Sequence, residues 1–259
     1  MPLSVLEKDV YQRQMMLDGW GEKVQERLKD STVFVAGAGG LGSPASIYLA
    51  VAGIGQLRLC DFDHPDWSNL NRQILHDSSR IGINKAVSGK KTLEKLNGLI
   101  RVTAFPEKIT AESVDRLVGE SDVILDCMDN FETRYVLNDC AMRLGIPLIH
   151  ASVRGMEGRL TFLLPPETPC LRCIIPEAPP REVFPIIGAT PGVIGSLQAM
   201  EAIKYLSGVG QLLKGKLMVW DGGTSEFTTM KLQRDPECLA CSGNPSPDPD
   251  PATRLNASR

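Results

Sequence analysis

The chain has 259 residues, 42% of them hydrophobic and 23% charged, which is enough for one large α/β domain or a domain with a substantial subdomain. The net charge of −3 argues against general affinity for nucleic acid or anionic membranes, and no apolar run reaches the roughly 18 residues that span a bilayer. The acidic N-terminus is unlike a secretory signal, and the seven cysteines suit a reducing compartment. We expect a soluble cytoplasmic protein.

The first part of the chain alternates between predicted strands and predicted helices. The strands are expected at residues 32–36, 57–60, 100–105, 122–126 and 147–150, with helices at 1–30, 43–52, 85–96 and 132–144. Such alternation predicts a doubly wound, mainly parallel, Rossmann-like sheet with helices on both faces. Within a domain of residues 1–243, residues 31–152 would form the nucleotide-binding part.

The pattern changes after residue 152. Residues 159–164, 217–220 and 226–232 are expected as antiparallel strands, the last two joined at Gly222-Gly223. A Pro-rich crossover at 176–185 and a helix at 191–206 lie between them. Residues 244–259 contain alternating prolines and almost nothing apolar, so we expect a disordered tail.

A glycine-rich loop follows the first predicted strand. Its glycines, in a G-x-G-x-x-G pattern, permit a tight turn and let backbone N–H groups approach phosphates at a helix N-terminus; they are Gly37, Gly39, Gly40 and Gly42. Asp61 ends the next strand about twenty residues later, where a carboxylate accepts from ribose hydroxyls. These features alone fit NAD, FAD or ATP.

Three charged residues favour a triphosphate. Arg72 lies just beyond Asp63 and Lys85 opens the next predicted helix, and both can neutralise charge developing on a leaving pyrophosphate. Asp129, with Asn130, follows the fourth predicted strand at the carboxyl edge of the sheet, where a carboxylate oxygen suits Mg²⁺.

Two C-x-x-C pairs lie in the second half of the chain. Four thiolates so spaced fit a closed structural zinc site, formed by Cys170, Cys173, Cys238 and Cys241. Tetrahedral iron is the chemical alternative.

Together these motifs resemble the MoeB/ThiF/HesA family, bacterial and archaeal relatives of ubiquitin-activating enzymes, from about residue 11 to residue 241. The resemblance rests on the glycine loop, residues 61–63, residues 68–73, Lys85, residues 126–130 and the cysteine pairs. It implies ATP-dependent adenylation of the C-terminal glycine of a small ubiquitin-like sulfur-carrier protein ending in Gly-Gly, as in molybdopterin or thiamine biosynthesis. Residues 153–243 would then bind the carrier and zinc.

The resemblance also implies roles for individual residues. The glycine loop would hold phosphates, Asp61 the ribose and Asp129 the Mg²⁺, while the other nucleotide contacts would come from Asp63, Ser68, Asn69, Arg72, Lys85 and Asn130. Arg13 would reach into the partner subunit's site as an arginine finger. An arginine acting in trans requires a homodimer, and the apolar helix at 191–206 could pack against the neighbour.

The crossover at 181–188 lacks the cysteine with which some members of the family form a covalent intermediate. We therefore expect adenylation only, with sulfur supplied by a separate donor protein. Three alternatives stay open: an NAD(P)-dependent oxidoreductase, a non-catalytic scaffold, and a related enzyme that activates a tRNA-bound carboxylate. The molybdopterin, thiamine and tungsten cofactor pathways are likewise all compatible with the residues.

Overall fold

The computed structural model describes residues 1–180 and 183–242. The predicted disordered tail at 244–259 and two residues of the crossover lie outside the described residues. Among the helices that are described, none is long and apolar enough to cross a membrane.

Eight helices and eight strands make up the secondary structure of the described residues, with two 3-10 turns at Trp67–Asn69 and Ser78–Arg80. In chain order they are α1 (Val5–Met15), α2 (Gly21–Asp30), β1 (Thr32–Ala36), α3 (Gly42–Ala52), β2 (Gln56–Cys60), α4 (Lys85–Leu96), β3 (Arg101–Phe105), α5 (Val114–Val118), β4 (Val123–Asp126), α6 (Phe131–Leu144), β5 (Leu148–Arg154), β6 (Glu157–Leu163), α7 (Leu171–Ile174), α8 (Ala189–Ser207), β7 (Lys216–Asp221) and β8 (Glu226–Lys231).

All eight strands join one sheet in the order β3-β2-β1-β4-β5-β6-β7-β8. The pairings from β3 through β5 are parallel, and those from β5 through β8 are antiparallel. The expected mainly parallel sheet with antiparallel C-terminal strands is therefore confirmed. The strand β5 runs to Arg154, beyond the predicted end at 150, because it continues to pair with β6 as far as the turn at Gly155.

Helices cover both faces of the parallel part, as the doubly wound fold requires. Successive residues of a strand point to opposite faces. Accordingly, Val33 and Val35 of β1 belong to a core that includes residues of α3, α4 and α8. Phe34 and Ala36 belong to a second core that includes residues of α5 and α6. The short helices α5 and α7 have five and four residues, too few to show a helical period in the sequence.

The helix α8 packs very closely on β6. Its apolar residues Ile194, Ala199 and Ala202 are fully buried against the sheet of their own chain, whereas Met200 is 52% exposed. A Cβ atom at Gly158 would lie 2.1 Å from Cγ1 of Ile194. The close approach of helix and strand therefore requires a glycine at this position.

The substitution Gly158→Ala should destabilise the fold by about 1–3 kcal/mol, since overpacking forces the helix away from the sheet. For a chain of this size each kcal/mol lowers Tm by about 2–4 °C. The control is Gly192→Ala on α8, the helix that faces Gly158, because an added Cβ there meets nothing within 4 Å. Thermal unfolding of both variants tests this, and equal Tm values would contradict it.

Candidate active site

The glycine loop lies where β1 ends and α3 begins, as predicted. Gly37 has φ +99°, and a Cβ atom there would lie 2.9 Å from the carbonyl oxygen of Cys127. A Cβ atom at Gly42 would lie 1.9 Å from the carbonyl oxygen of Gly37. At Gly39 the nearest atom to an added Cβ would be Nε2 of Gln73, at 3.6 Å. Backbone contacts therefore require glycine at positions 37 and 42, and the loop packs against the residue that follows β4.

Asp61 lies directly after β2 and is bonded to this loop. Its Oδ2 accepts a hydrogen bond from the backbone N–H of Ala38 at 2.8 Å, and its Oδ1 accepts one from the N–H of Asp63 at 2.9 Å. Burial raises the pKa of the Asp61 carboxyl, although both backbone bonds act in the opposite direction. The predicted ribose ligand therefore lies beside the predicted phosphate loop.

Lys85, the first residue of α4, reaches the same edge of the sheet. It is only 7% exposed, and its Nζ lies 3.5 Å from Oδ2 of Asp63. The preceding Asn84 caps α4 and donates from Nδ2 to the carbonyl oxygens of Asp61 and Asp63. Sequence reasoning missed Asn84, although an asparagine directly before a predicted helix is a strong N-cap signal.

The segment 68–73 begins within the first 3-10 turn. Nη1 of Arg72 donates to the carbonyl oxygen of Ser68 at 2.9 Å and to Oδ1 of Asn71 at 3.0 Å. Gln73 is 5% exposed, and its buried Oε1 has no hydrogen-bond partner. Gln73 faces Gly39, and it was not singled out from the sequence because glutamine is not a charged phosphate ligand. Asn69 lies in the turn, where its side chain accepts from the N–H of Asp66.

Asp129 and Asn130 follow β4, but their environments differ. Asp129 is exposed, with Nδ2 of Asn130 at 3.4 Å from its Oδ1. Asn130 is the N-cap of α6, and its Oδ1 accepts from the N–H of Thr133 at 2.9 Å. Magnesium in proteins binds one or two carboxylates together with substrate phosphates. An exposed carboxylate at the carboxyl edge of the sheet fits that ion, and Asp129 is the residue that would hold it.

A buried polar network lies under this turn and was missed by sequence reasoning. Asp126, the last residue of β4, is 0% exposed and accepts from Nδ1 of His150 at 2.6 Å. Arg134 of α6 lies with its Nε 3.7 Å from the same carboxylate. Burial lowers the pKa of His150 despite this neighbour, so the imidazole is neutral at pH 7. The only sequence signal was an aspartate at the end of an otherwise apolar strand.

Arg13 does not join these residues within one chain. It is exposed on α1, where the next residue, Gln14, donates from Nε2 to the carbonyl oxygen of Ala52. Ala52 is the last residue of α3, and the glycine loop precedes the first, about 16 Å away along an 11-residue helix. Arg13 therefore lies near the opposite end of α3 from the loop of its own chain.

The four cysteines of the two C-x-x-C pairs lie close together, as predicted. All four sulfur atoms lie within 4.8 Å of one another, and three of the Sγ–Sγ distances are 3.8, 3.7 and 3.4 Å. A tetrahedral site with Zn–S bonds of about 2.3 Å places its sulfurs about 3.8 Å apart. Burial opposes ionisation of Cys238, but the backbone N–H groups of Ala240 and Cys241 contribute to lowering its pKa to about 7. The cluster therefore fits a structural zinc ion.

The chain is similar to several known proteins. The sequence profile of the ThiF family matches residues 11–240. The chain is 38% identical over 251 residues to the sulfur carrier protein adenylyltransferase of Thermus thermophilus, covering 93% of each chain. It is 40% identical over 243 residues to the adenylyltransferase and sulfurtransferase MOCS3 of Culex quinquefasciatus, covering 91% of this chain and 56% of that one.

A solved structure also matches. The crystal structure of E. coli MccB with AMPCPP and MccA has a TM-score of 0.73 and 26% identity, over 84% of this chain and 68% of that one. The chain thus spans about half the length of the MOCS3 relatives and nearly all of the Thermus relative.

Proposed function

The chain belongs to the ThiF family, and we propose that it is an ATP-dependent adenylyltransferase. Its substrate would be the C-terminal glycine carboxylate of a small ubiquitin-like sulfur-carrier protein, which it would convert to an acyl-adenylate with release of pyrophosphate. The observation that carries this proposal is the meeting of the glycine loop, Lys85 and Asp129 at one edge of the sheet. The relative from Thermus thermophilus is named a sulfur carrier protein adenylyltransferase, which supports the choice of substrate.

The chemistry explains why the site is built from charges. A carboxylate attacks the α-phosphate of ATP, so two anions must approach each other. The nucleophile is already ionised at neutral pH, since a C-terminal carboxyl has a pKa of about 3.3–3.7. The site therefore needs fixed positive charge and orientation more than a general base. Lys85 and Arg72 supply that charge, and Asp61 orients the ribose.

The predicted nucleotide ligands other than Asn130, whose side chain caps α6, have places in this scheme. Asn69 and Arg72 would contact the phosphates, while Ser68 helps to position Arg72 through its carbonyl oxygen. Asp63 would hold Lys85 until the nucleotide enters. Asp129 would hold Mg²⁺, which when bound neutralises charge on the leaving pyrophosphate.

The carrier would dock on the antiparallel end of the sheet. Every residue of β8 is exposed, including the apolar Phe227 at 55% and Met230 at 48%. The crossover is bonded to the β5–β6 turn, where the N–H of Gly155 donates to the carbonyl oxygen of Pro185 at 2.8 Å. Farther along, a Cβ at Gly188 would meet the carbonyl oxygen of Asn71 at 2.1 Å. The carrier tail would pass under this segment toward the α-phosphate.

A homodimer would complete the site. Arg13 lies far from the loop of its own chain but is exposed, so it can serve a second copy. Large apolar side chains on neighbouring helices are exposed as well: Tyr48 and Val51 of α3 are 53% and 41% exposed, and Met200 of α8 is 52% exposed. A second subunit packed on α3 and α8 would cover these residues and bring its own Arg13 toward the nucleotide.

We propose that sulfur comes from a separate donor protein rather than through a thiol of this chain. The three cysteines outside the two C-x-x-C pairs are buried. Burial raises the pKa of both Cys60 and Cys140 to about 12, and it raises that of Cys127 as well. Such thiols are almost entirely protonated at pH 7 and make poor nucleophiles.

The substitution Lys85→Met should lower carrier-dependent ATP–pyrophosphate exchange by about 10²–10³-fold, because one fixed cation of the site is lost. The control is Lys90→Met on the same helix, where a half-buried lysine pairs with Glu94. The carrier for this assay is first identified by mass spectrometry as the protein that acquires AMP. Wild-type exchange in the Lys85 variant, or binding of NAD(P) in place of ATP, would refute the proposal.

Mixing the Arg13→Ala and Lys85→Met variants should restore exchange to about a quarter of the wild-type level. In a symmetric dimer, each mixed pair has one intact site, formed by Lys85 of one chain and Arg13 of the other. Each variant alone is the control. A mixture no more active than the average of its two components would show that Arg13 does not act in trans.

Purified protein should contain one zinc ion per chain and no iron, as measured by elemental mass spectrometry. The variant Cys173→Ser should lose at least about tenfold in zinc affinity, since it removes a direct ligand. It should also unfold at lower temperature, because zinc would hold 170–173 to 238–241. The control Cys140→Ser alters a buried thiol outside the cluster and should retain zinc. Zinc retained equally by both variants would contradict the assignment.

A further inference from the structure

We propose that Arg134 is a positioning residue, which together with Asp126 holds the turn that presents Asp129 to a nucleotide-bound divalent ion. This inference rests on the proposed function and assigns a role to residues that the nucleotide scheme does not use. The turn in question is the segment between the end of β4 and the start of α6.

Asp126 holds the N–H side of the Met128 peptide. Its Oδ1 accepts from the backbone N–H of Met128 at 3.1 Å. Its Oδ2 lies 2.6 Å from Nδ1 of His150, within hydrogen-bond distance. Both oxygens of this fully buried carboxylate are therefore in use.

Arg134 holds the carbonyl side of the same residue. Its Nε and Nη2 both donate to the carbonyl oxygen of Met128, at 3.2 and 2.5 Å. Nη2 also donates to the carbonyl oxygen of Ala151 in β5, at 3.2 Å. The guanidinium lies 4.9 Å from the ring centroid of Phe131, and the residue is only 6% exposed. Met128 is thus bonded at both its N–H and its C=O, directly before Asp129.

The other side of Asp129 is fixed as well. Asn130 caps α6, so its backbone is tied to the first turn of that helix. The Asp129 carboxylate itself projects from this restrained backbone and is exposed. Its backbone is therefore held from both neighbours while its side chain stays available to a ligand.

A purely structural role explains this arrangement poorly. Burying a guanidinium costs several kcal/mol, and apolar residues on the same helix, Leu137 and Cys140, pack against the sheet without that cost. A pair made only to neutralise Asp126 would be short and bidentate. Instead, Nε lies 3.7 Å from that carboxylate, and the closer contacts go to the backbone of the turn. The N–H groups of Arg134 therefore bond mainly to the backbone directly before the proposed metal ligand.

The positioning role can be tested by measuring the binding of Mn²⁺ in the presence of ATP by electron paramagnetic resonance. Partners behind a metal ligand typically contribute about 10–100-fold in affinity. The variant Arg134→Lys, which keeps the charge but loses the planar fork, should weaken Mn²⁺ binding by that factor. The control Arg143→Lys makes the same change on α6 at an exposed pair with Asp115, and it should bind as wild type does.

A double-mutant cycle separates positioning from stability. If Arg134 acts through Asp129, the lysine substitution should add less than about twofold to the loss already caused by Asp129→Asn. Multiplicative losses in a folded double variant, or unchanged Mn²⁺ affinity in folded Arg134→Lys, would overturn the proposal. Circular dichroism and thermal unfolding establish that each variant is folded.

A second variant covers the case in which Arg134→Lys does not fold. Asp126→Ala removes the oxygen that accepts from the N–H of Met128 and should show the same dependence on Asp129. Multiplicative losses for this variant would also overturn the inference. Failure of the proposed function is distinguishable: wild type would then bind Mn²⁺ and ATP, and the cycle would show coupling, but no carrier would acquire AMP.

Discussion

The site depends on a contact between two pieces of backbone. Gly37 approaches the carbonyl of Cys127 so closely that a single added carbon would lie 2.9 Å from its oxygen. That contact joins the loop after β1 to the segment after β4, which are neighbouring strands in the sheet. Because the carboxyl ends of parallel strands meet at one edge, it also brings the proposed phosphate loop beside the turn that carries Asp129. The contact depends on glycine, whose freedom to adopt φ +99° allows it.

The charges around this edge are arranged so that none is buried without compensation. Lys85 is almost fully buried but lies beside Asp63, and Asp126 lies between an imidazole and a guanidinium. Buried charges of this kind are costly unless they are paired. In the proposed function a triphosphate would compete with Asp63 for Lys85, and the resting ion pair holds the lysine in place. The groups that lack such compensation, notably Asp129, are the exposed ones.

The parallel part of the fold could be predicted from local pattern because β1 to β4 are short strands that alternate with helices along the chain. The glycine loop, Asp61 and the cysteine pairs were likewise predictable, since glycine geometry and metal ligation demand particular residues at fixed spacing. The residues that contact and position them could not be predicted from the sequence. Asn84, Gln73 and Arg134 act through contacts between segments distant in the chain, and their residue types are common on any helix or turn. Arg13 shows a further limit, because its proposed site lies in another molecule.

The outermost strand, β8, has consequences for the isolated protein. Among residues 1–180 and 183–242 nothing pairs with its outer edge, and both of its faces are exposed. An open strand edge with apolar side chains is a template on which other chains can nucleate aggregation. Its central sequence Phe-Thr-Thr-Met is uncharged, but Glu226 and Lys231 at the two ends act as gatekeepers against such stacking. The two terminal charges of β8 therefore oppose stacking at this edge, and buffers of high ionic strength screen them.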